Sequence, residues 1–260
     1  MLIFGMTGPI GHGKSTFAKA IKELEPSTVR FESSMVIAEV ANALHAATQT
    51  IPTRDDIQSI NEWLKPLPEI IAEVVHVKCT FYQVQVQLAD VQRHPIEYEK
   101  LFLHIENLTR NPGLIKQPIT PENKETYRPI LQWLGGYLVK KLEPSIWYSE
   151  IIRRTQEAMA EGTKICIVGG LRFPTDAELI KKVQGTIIKV YRPDHLQFDA
   201  LDPTERERDN IPADCTVVNN GTIDDMKTCA HKILEDIAAS NLQRVYRTKE
   251  VALAYSTGPQ

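Results

Sequence analysis

Residues 2–24 read LIFGMTGPIGHGKSTFAKAIKEL, and the fold follows from them. Leu2 to Met6 form a short apolar run that suits a buried strand. Gly8-Pro9-Ile10-Gly11-His12-Gly13-Lys14-Ser15 matches the pattern G-x-x-x-x-G-K-[ST]. From Lys14 to Leu24, Phe17, Ala18, Ile21 and Leu24 recur at helical spacing, and Pro26 closes the segment. Glycines in such a loop let backbone N–H groups turn inward around phosphate oxygens, and the helix that follows aims its positive dipole end at the same anion. Lys14 would reach the β and γ phosphates, and the Ser15 hydroxyl would ligate Mg²⁺. Gly8 to Thr16 are therefore the expected nucleotide-binding run, with Ile10 and Thr16 inside it and His12 offering its backbone. A random chain of this length meets the pattern roughly once in a hundred. Here it also follows a strand pattern and opens a helix pattern, which disfavours a plain glycine turn.

Outward from this loop the alternation continues. Thr28 to Phe31 read as a second strand ending at Glu32-Ser33-Ser34. Lys164 to Val168 (KICIV) is a third. Thr175-Asp176-Ala177-Glu178 has the form of a capping box opening a short helix, with Ala177, Ile180 and Val183 inward. Thr186 to Tyr191 and Cys215 to Val218 are two more strands. Asn219-Asn220-Gly221 is a turn signal, and Ile223 to Ala238 is a closing amphipathic helix. Strands alternating with helices predict an α/β fold with a parallel five-stranded sheet flanked by helices. The single domain would span 1–246, with its core in 1–35 and 158–246 and a flexible tail at 247–260.

Residues 36–157 interrupt the alternation as a helical insertion on the substrate side. Val36, Val40, Leu44 and Ala47 give one helix face, and Thr120-Pro121 and Arg128-Pro129 look like helix starts. The stretch 80–88 fits strand and helix periods alike, with helix preferred because the run from Pro68 to Arg93 lacks a turn residue.

Composition bounds the function. The 260 residues are 42% hydrophobic and 24% charged with a net charge of -3, which excludes a disordered chain and an all-over nucleic-acid binder. Four scattered cysteines make neither a disulfide framework nor a zinc site, so a cytoplasmic setting is expected, the host cytoplasm if the chain is of phage origin. No stretch approaches the about 20 apolar residues of a membrane span.

Two further clusters could carry chemistry. In Tyr127-Arg128-Pro129-Ile130-Leu131-Gln132 a helix from Pro129 would set Arg128 and Gln132 on one side, a fork for an anion and an amide for a nucleobase, against the plainer reading of solvated surface groups. Gly135-Gly136 in that helix costs about 1 kcal/mol per residue, which suggests close packing or close approach of a ligand. Gly169-Gly170-Leu171-Arg172-Phe173-Pro174 follows the KICIV strand, where open α/β sheets place their ligand crevice, so Arg172 is a candidate phosphate clamp. Glu32 and Ser33 end the second strand as candidate acceptor contacts. Arg153 and Arg154 could face an acceptor phosphate, although a solvated helix face is the alternative. Arg206 and Arg208 lie in the polar loop 192–213, where a lid could sit.

These pieces resemble the deoxynucleoside monophosphate kinases of bacteriophages and bacteria. The resemblance runs through GPIGHGKST, YRPILQWLGGYLVKKLEPSIWYSEII, LRFPTDAELIKKVQGTIIKVYRP and DCTVVNNGTIDDM, in the family's order and over about half the chain. It implies a P-loop kinase fold and transfer of the ATP γ-phosphoryl group to a nucleoside 5′-monophosphate. Lys14, Arg128 and Arg172 would be catalytic, Asn220 and Gly221 would lie near the adenine, and Glu32, Ser33, Arg128, Gln132, Arg153 and Arg172 would contact the acceptor. The cofactor implied is Mg²⁺ held by Ser15. The partners are ATP and a nucleoside monophosphate, without nucleic-acid polymer or membrane, a homodimer remaining open. The sequence departs from the family at Gly170, where an acid usually stands before R-F-P; Glu32 or Asp176 could replace it. Gly136 replaces a threonine, and Asp202-Pro203-Thr204-Glu205 lacks a usual histidine. Two other readings compete: dephospho-CoA kinase, and a nucleotide-binding regulatory protein without turnover.

Overall fold

The computed structural model describes residues 1–76, 95–141, 144–193, 195 and 207–257. The ambiguous stretch 80–88, Arg206 and the 202–205 segment lie outside the described residues. The chain divides into two compact units, one of Met1–Glu32 with Ile151–Gln260 and one of Ser33–Glu150. These boundaries fall a few residues before those expected from the sequence at 36 and 157.

The first unit is built on a parallel sheet. Its strands are β1 (Leu2–Thr7), β2 (Val29–Glu32), β3 (Ile165–Gly169), β4 (Thr186–Tyr191), β5 (Cys215–Val218) and β6 (Val245–Arg247). They lie side by side in the order β2-β3-β1-β4-β5-β6, and every pair is parallel. This is the α/β arrangement of a P-loop kinase fold, with six strands where five were expected. Strands buried on both faces need no polar alternation, which is why β3 reads as the unbroken run ICIVG and is buried throughout. Helix α1 (Lys14–Leu24) buries Phe17, Ala18, Ala20 and Ile21, a face set by the 3.6-residue period. These join Phe4, Met6, Ile167, Ile188, Val190, Val217 and Ile233 in one core.

The sixth strand and a helix after it correct the expected flexible tail. Val245–Arg247 pairs with β5, and Thr248–Thr257 is helical. Tyr246 is buried and donates its hydroxyl to Asp236, 2.9 Å away, anchoring the strand. A three-residue strand leaves no periodic signal to read.

The second unit contains the helices α2 (Ser33–Thr48), α3 (Ile57–Leu64), α4 (Leu67–Val74), α5 (Pro95–Arg110) and α6 (Arg128–Lys141), with a 3₁₀ turn at Pro112–Lys116. The next helix, α7 (Ile146–Ala160), runs across the boundary at Glu150 into the first unit. Val36, Val40 and Leu44 are buried as the helical spacing requires, but Ala47 is exposed at the end of α2. Helix α6 starts at Arg128 as expected. Residues 121–127 form turns rather than a helix. Gly135 packs closely, since a Cβ there would stand 3.1 Å from Ile37 Cδ1, whereas Gly136 faces open space.

The first unit completes its helices with α8 (Pro174–Lys182), α9 (Ile223–Ala238) and α10 (Thr248–Thr257). The cap of α8 differs from the expected box. Its N-cap is Phe173, and the buried Asp176 carboxylate accepts the backbone N–H groups of Arg172 and Phe173 at 3.0 and 2.9 Å. Ala177 and Ile180 are buried inward of it, and Val183 is half-buried at the C-cap. Helix α9 has a complete box: Thr222 and Asp225 satisfy each other's backbone N–H groups.

Candidate active site

The loop from Gly8 to Gly13 leaves the C-terminal end of β1 and delivers the chain into α1. Three of its residues are glycines with φ between 80° and 130°. At Gly8 the requirement is steric as well as conformational, because a Cβ would overlap the Val190 carbonyl oxygen on β4. Gly13 is the α1 N-cap in the left-handed region, and a Cβ there would stand 2.6 Å from Asn219 Nδ2. No side chain caps α1, so its first turn presents backbone N–H groups toward whatever the loop encloses.

Lys14 Nζ donates to the carbonyl oxygens of Gly8 and Pro9, at 2.6 and 2.7 Å. The Ser15 hydroxyl is exposed and accepts from Arg30 Nη2 at 3.2 Å. Arg30 in turn forms an ion pair with Glu32. Glu32 ends β2 beside Gly169 of β3, where its side chain fills the space that a Cβ on Gly169 would need. The end of β2 is thus tied through Arg30 to the residue that opens the second position of α1. Arg30 escaped the sequence reading; as the outward residue of an alternating VRFE strand it gave a signal of exposure but none of contact with Ser15.

His12 is fully buried, and its side chain makes contacts of its own behind the loop. Its Nδ1 accepts the Arg192 N–H at 2.9 Å, and its carbonyl accepts Asn219 Nδ2 at 3.1 Å. Burial lowers its pKa to about 4, helped by the nearby charges of His195, Lys14, Arg208 and Arg192. Arg208 is itself buried, not a solvated loop charge. Asn219, also missed, reaches the loop, whereas Asn220 is turned toward α10: its Oδ1 accepts from Thr248 Oγ1 and Lys249 N, both at 3.2 Å. In this arrangement Asn220 caps the C-terminal helix through its Oδ1. Gly221 leaves room for the Asp225 carboxylate.

Arg172 follows β3 with an exposed side chain, at the strand end where a phosphate clamp was expected. Gly170 before it has φ 74°. An acid at that position would have to adopt a left-handed conformation, which accounts for a glycine there. Asp176 is buried, which raises its pKa to about 6, and its Oδ2 accepts two backbone N–H groups, so it holds the turn that leads into α8. Glu32 remains the carboxylate at the strand ends near Ser15. Arg153 pairs with Glu157 one turn on along α7.

In the second unit Arg128 and Gln132 do come together. Both line a groove of about 570 Å³ whose wall also includes Leu103, Asn107 and Arg110 of α5. Gln132 Oε1 accepts from Lys100 Nζ, and Arg128 pairs with Glu125 at 3.2 Å. The groove therefore carries an amide and two guanidinium groups, each paired with a carboxylate, Arg128 with Glu125 and Arg110 with Glu106, which an anion would have to replace. Ser33 opens α2, its hydroxyl 3.4 Å from the Tyr148 hydroxyl.

Among the described residues no cluster of three or more His, Cys, Asp or Glu could hold a metal ion, and no helix is long and apolar enough to cross a membrane. No curated protein matches the sequence. A family model described as deoxynucleotide monophosphate kinase matches residues 69–230. The match spans well over half of the chain and contains Arg128, Gln132, Arg172 and the 219–221 turn. It starts beyond the glycine loop, so the loop is a separate indication of the same chemistry. The chain belongs to the deoxynucleotide monophosphate kinase family.

Proposed function

We propose that the protein transfers the γ-phosphoryl group of ATP to a deoxynucleoside 5′-monophosphate. The observation that carries this reading is the glycine loop opening α1 from the end of β1, in a chain whose residues 69–230 match a deoxynucleotide monophosphate kinase family. The loop and the first turn of α1 receive the triphosphate, with Lys14 exchanging the Gly8 and Pro9 carbonyls for phosphate oxygens. The groove on α5 and α6 receives the acceptor, Arg128 and Arg110 taking its phosphate and Gln132 its base.

In the reaction an acceptor phosphate oxygen attacks the γ-phosphorus in line. The bond from that phosphorus to the β–γ bridging oxygen breaks, ADP leaves, and the nucleoside diphosphate forms. Little covalent chemistry falls to the protein, which positions the reactants and stabilises charge through Lys14 and Arg172. The exposed Ser15 hydroxyl is an oxygen ligand suited to Mg²⁺, which keeps most of its shell as water and phosphate. Mg²⁺, when bound, neutralises charge on the phosphates. Arg30 and Glu32 hold the Ser15 side chain from the β2 side.

ADP release with Mg-ATP against a panel of ribo- and deoxynucleoside monophosphates and dephospho-CoA tests the reading, with Lys14→Ala as control. Release that depends on a deoxynucleoside monophosphate and disappears in the variant supports it. Release with dephospho-CoA alone replaces the acceptor. ATP binding without acceptor-dependent release favours a regulatory protein.

A further inference from the structure

Three loops at one end of the sheet close a ring of hydrogen bonds. His12, in the glycine loop, accepts the Arg192 N–H on its Nδ1 at 2.9 Å. Arg192 directly follows Tyr191, the last residue of β4, whose carbonyl accepts the Asn219 N–H at 2.7 Å. Asn219, directly after β5, closes the ring by donating Nδ2 to the His12 carbonyl at 3.1 Å. The ring is enclosed: His12 is fully buried, the Tyr191 ring packs on it at 5.4 Å and the His195 ring meets it edge-on at 5.2 Å. Asn219 Nδ2 occupies the space that a Cβ on Gly13 would take, so the ring also explains that glycine.

The ring dictates the state of the imidazole. A backbone N–H only donates, so Nδ1 is unprotonated and the proton sits on Nε2, where it has no hydrogen-bond partner among the described residues. A buried donor left unsatisfied is a cost that the loop bears to keep Nδ1 as an acceptor. An imidazolium would set an N–H against the Arg192 N–H and open the ring.

We propose that the His12 side chain is a positioning residue for the triphosphate: as the neutral Nε2–H tautomer it fastens the glycine loop to the exits of β4 and β5. The proposal rests on the kinase reading and deepens it. The buried His12 side chain acts through the loop backbone and not by its own contact with the phosphates. It fixes the backbone from Gly11 to Gly13, whose N–H groups and carbonyls decide the shape of the phosphate cradle, and it does so from the residue at which the chain leaves β4. Asn is the replacement that keeps the function, because its Oδ1 stands about where Nδ1 stands and accepts the same N–H. Ala removes the acceptor and leaves a void.

The test is MgATP binding by calorimetry and the steady-state KM for ATP in the wild type, His12→Asn, His12→Ala, Asn219→Ala and the double alanine variant. It is joined by ¹⁵N NMR of the histidine rings in the wild type. His12→Ala and Asn219→Ala should each weaken ATP by about three- to tenfold, the range of one buried hydrogen bond, with a smaller change in kcat. The double variant should lose less than the product of the two, since either change opens the same ring. His12→Asn should recover most of the loss, and the His12 ring should show a bare Nδ1. ATP binding by His12→Ala equal to wild type overturns the proposal. So does a folded His12→Asn that is as weak as His12→Ala, or a protonated Nδ1. A wild-type chain that fails to bind MgATP overturns the kinase reading instead, and the positioning role falls with it.

Discussion

Lys14 Nζ lies against the carbonyl oxygens of Gly8 and Pro9, 2.6 and 2.7 Å away, so the ammonium is held by the loop that precedes it in the chain. The carbonyls bring two partial negative charges to one cation and keep the side chain folded over the loop. In the proposed reading a phosphate offers full charges at the same place and would displace them. Lys14→Ala therefore removes a group needed in the reaction but not a buried anchor of the fold. ADP release should fall about 10²–10³-fold or more, the effect of losing one preorganised donor to developing charge. The melting temperature should stay within a few degrees of wild type. Retention of a tenth of the activity would rule out this role.

Gly8 is a stability residue within the same loop. It has φ 130°, and a Cβ there would collide with the Val190 carbonyl oxygen, a backbone atom of a central strand that cannot step aside. Gly8→Ala should lower the unfolding free energy by about 2 kcal/mol or more, from left-handed strain and the clash together. Urea unfolding with unchanged m-value measures it. A loss below about 0.5 kcal/mol would mean that the loop rearranges freely.

Much of this was readable from the residues. Gly8 to Ser15, the bounds of α1, β4, β5 and α9, and the start of α6 at Arg128 follow from periodicity and turn chemistry, because each is set locally. The Arg128–Gln132 pairing also follows from helical spacing and survives as a shared groove wall. What escaped depends on distant contacts. The side chains of His12, Arg30 and Asn219 have partners 180, 15 and 207 positions away, and no local pattern announces them. The cap of α8 was placed on Thr175 by its box-like spacing, but the β3–α8 turn is set by the buried Asp176. The C-terminal strand was lost because three residues carry no period.

Glu32, rather than position 170, is expected to supply the carboxylate at the strand ends beside the loop. Gly170 has φ 74°, and an Asp there pays for a left-handed backbone, about 1 kcal/mol. Glu32 already stands on the neighbouring strand end, paired to Arg30 and through it to Ser15. Glu32→Gln keeps the shape and removes the charge. It should reduce ADP release at least about tenfold, in line with loss of an electrostatic contribution near the reacting phosphates, while Gly170→Asp should destabilise the chain and restore nothing to it. Steady-state rates and thermal melts of the two single variants and the double variant decide. Full activity in Glu32→Gln, or a gain from Gly170→Asp in the Glu32→Gln background, would return the role to position 170.

The second unit carries a buried imidazole pair that makes stability depend on pH. His45 and His104 stack at an interplanar angle of 7° with their Nε2 atoms 3.1 Å apart, and Trp63 packs against both rings. Only one proton fits between the two Nε2 atoms, so the rings are not both imidazolium, and burial without a partner among the described residues on either Nδ1 disfavours a charge on either one. Burial lowers His45 to about 4 and, with the His45 charge adding to it, His104 to about 3. Unfolded imidazoles bind protons near 6.5, and the folded ones do not, so the unfolded state gains protons first. The stabilisation is complete above pH 6.5 and is lost as pH falls through 6.5 toward 4. His12, lowered to about 4, acts in the same direction. Asp176, raised to about 6 by burial, acts in the opposite one, since below pH 6 the folded state takes up the proton. Three imidazoles against one carboxyl, at about 1.4 kcal/mol per pKa unit, leave a net loss of a few kcal/mol between pH 7 and 5. Replacing both members of the pair with leucine should flatten most of that slope, whatever it does to the stability at pH 7. Urea titrations at half-unit pH steps measure both chains. An equal slope in the two would show that the pair is protonated in the folded protein or already exposed to solvent.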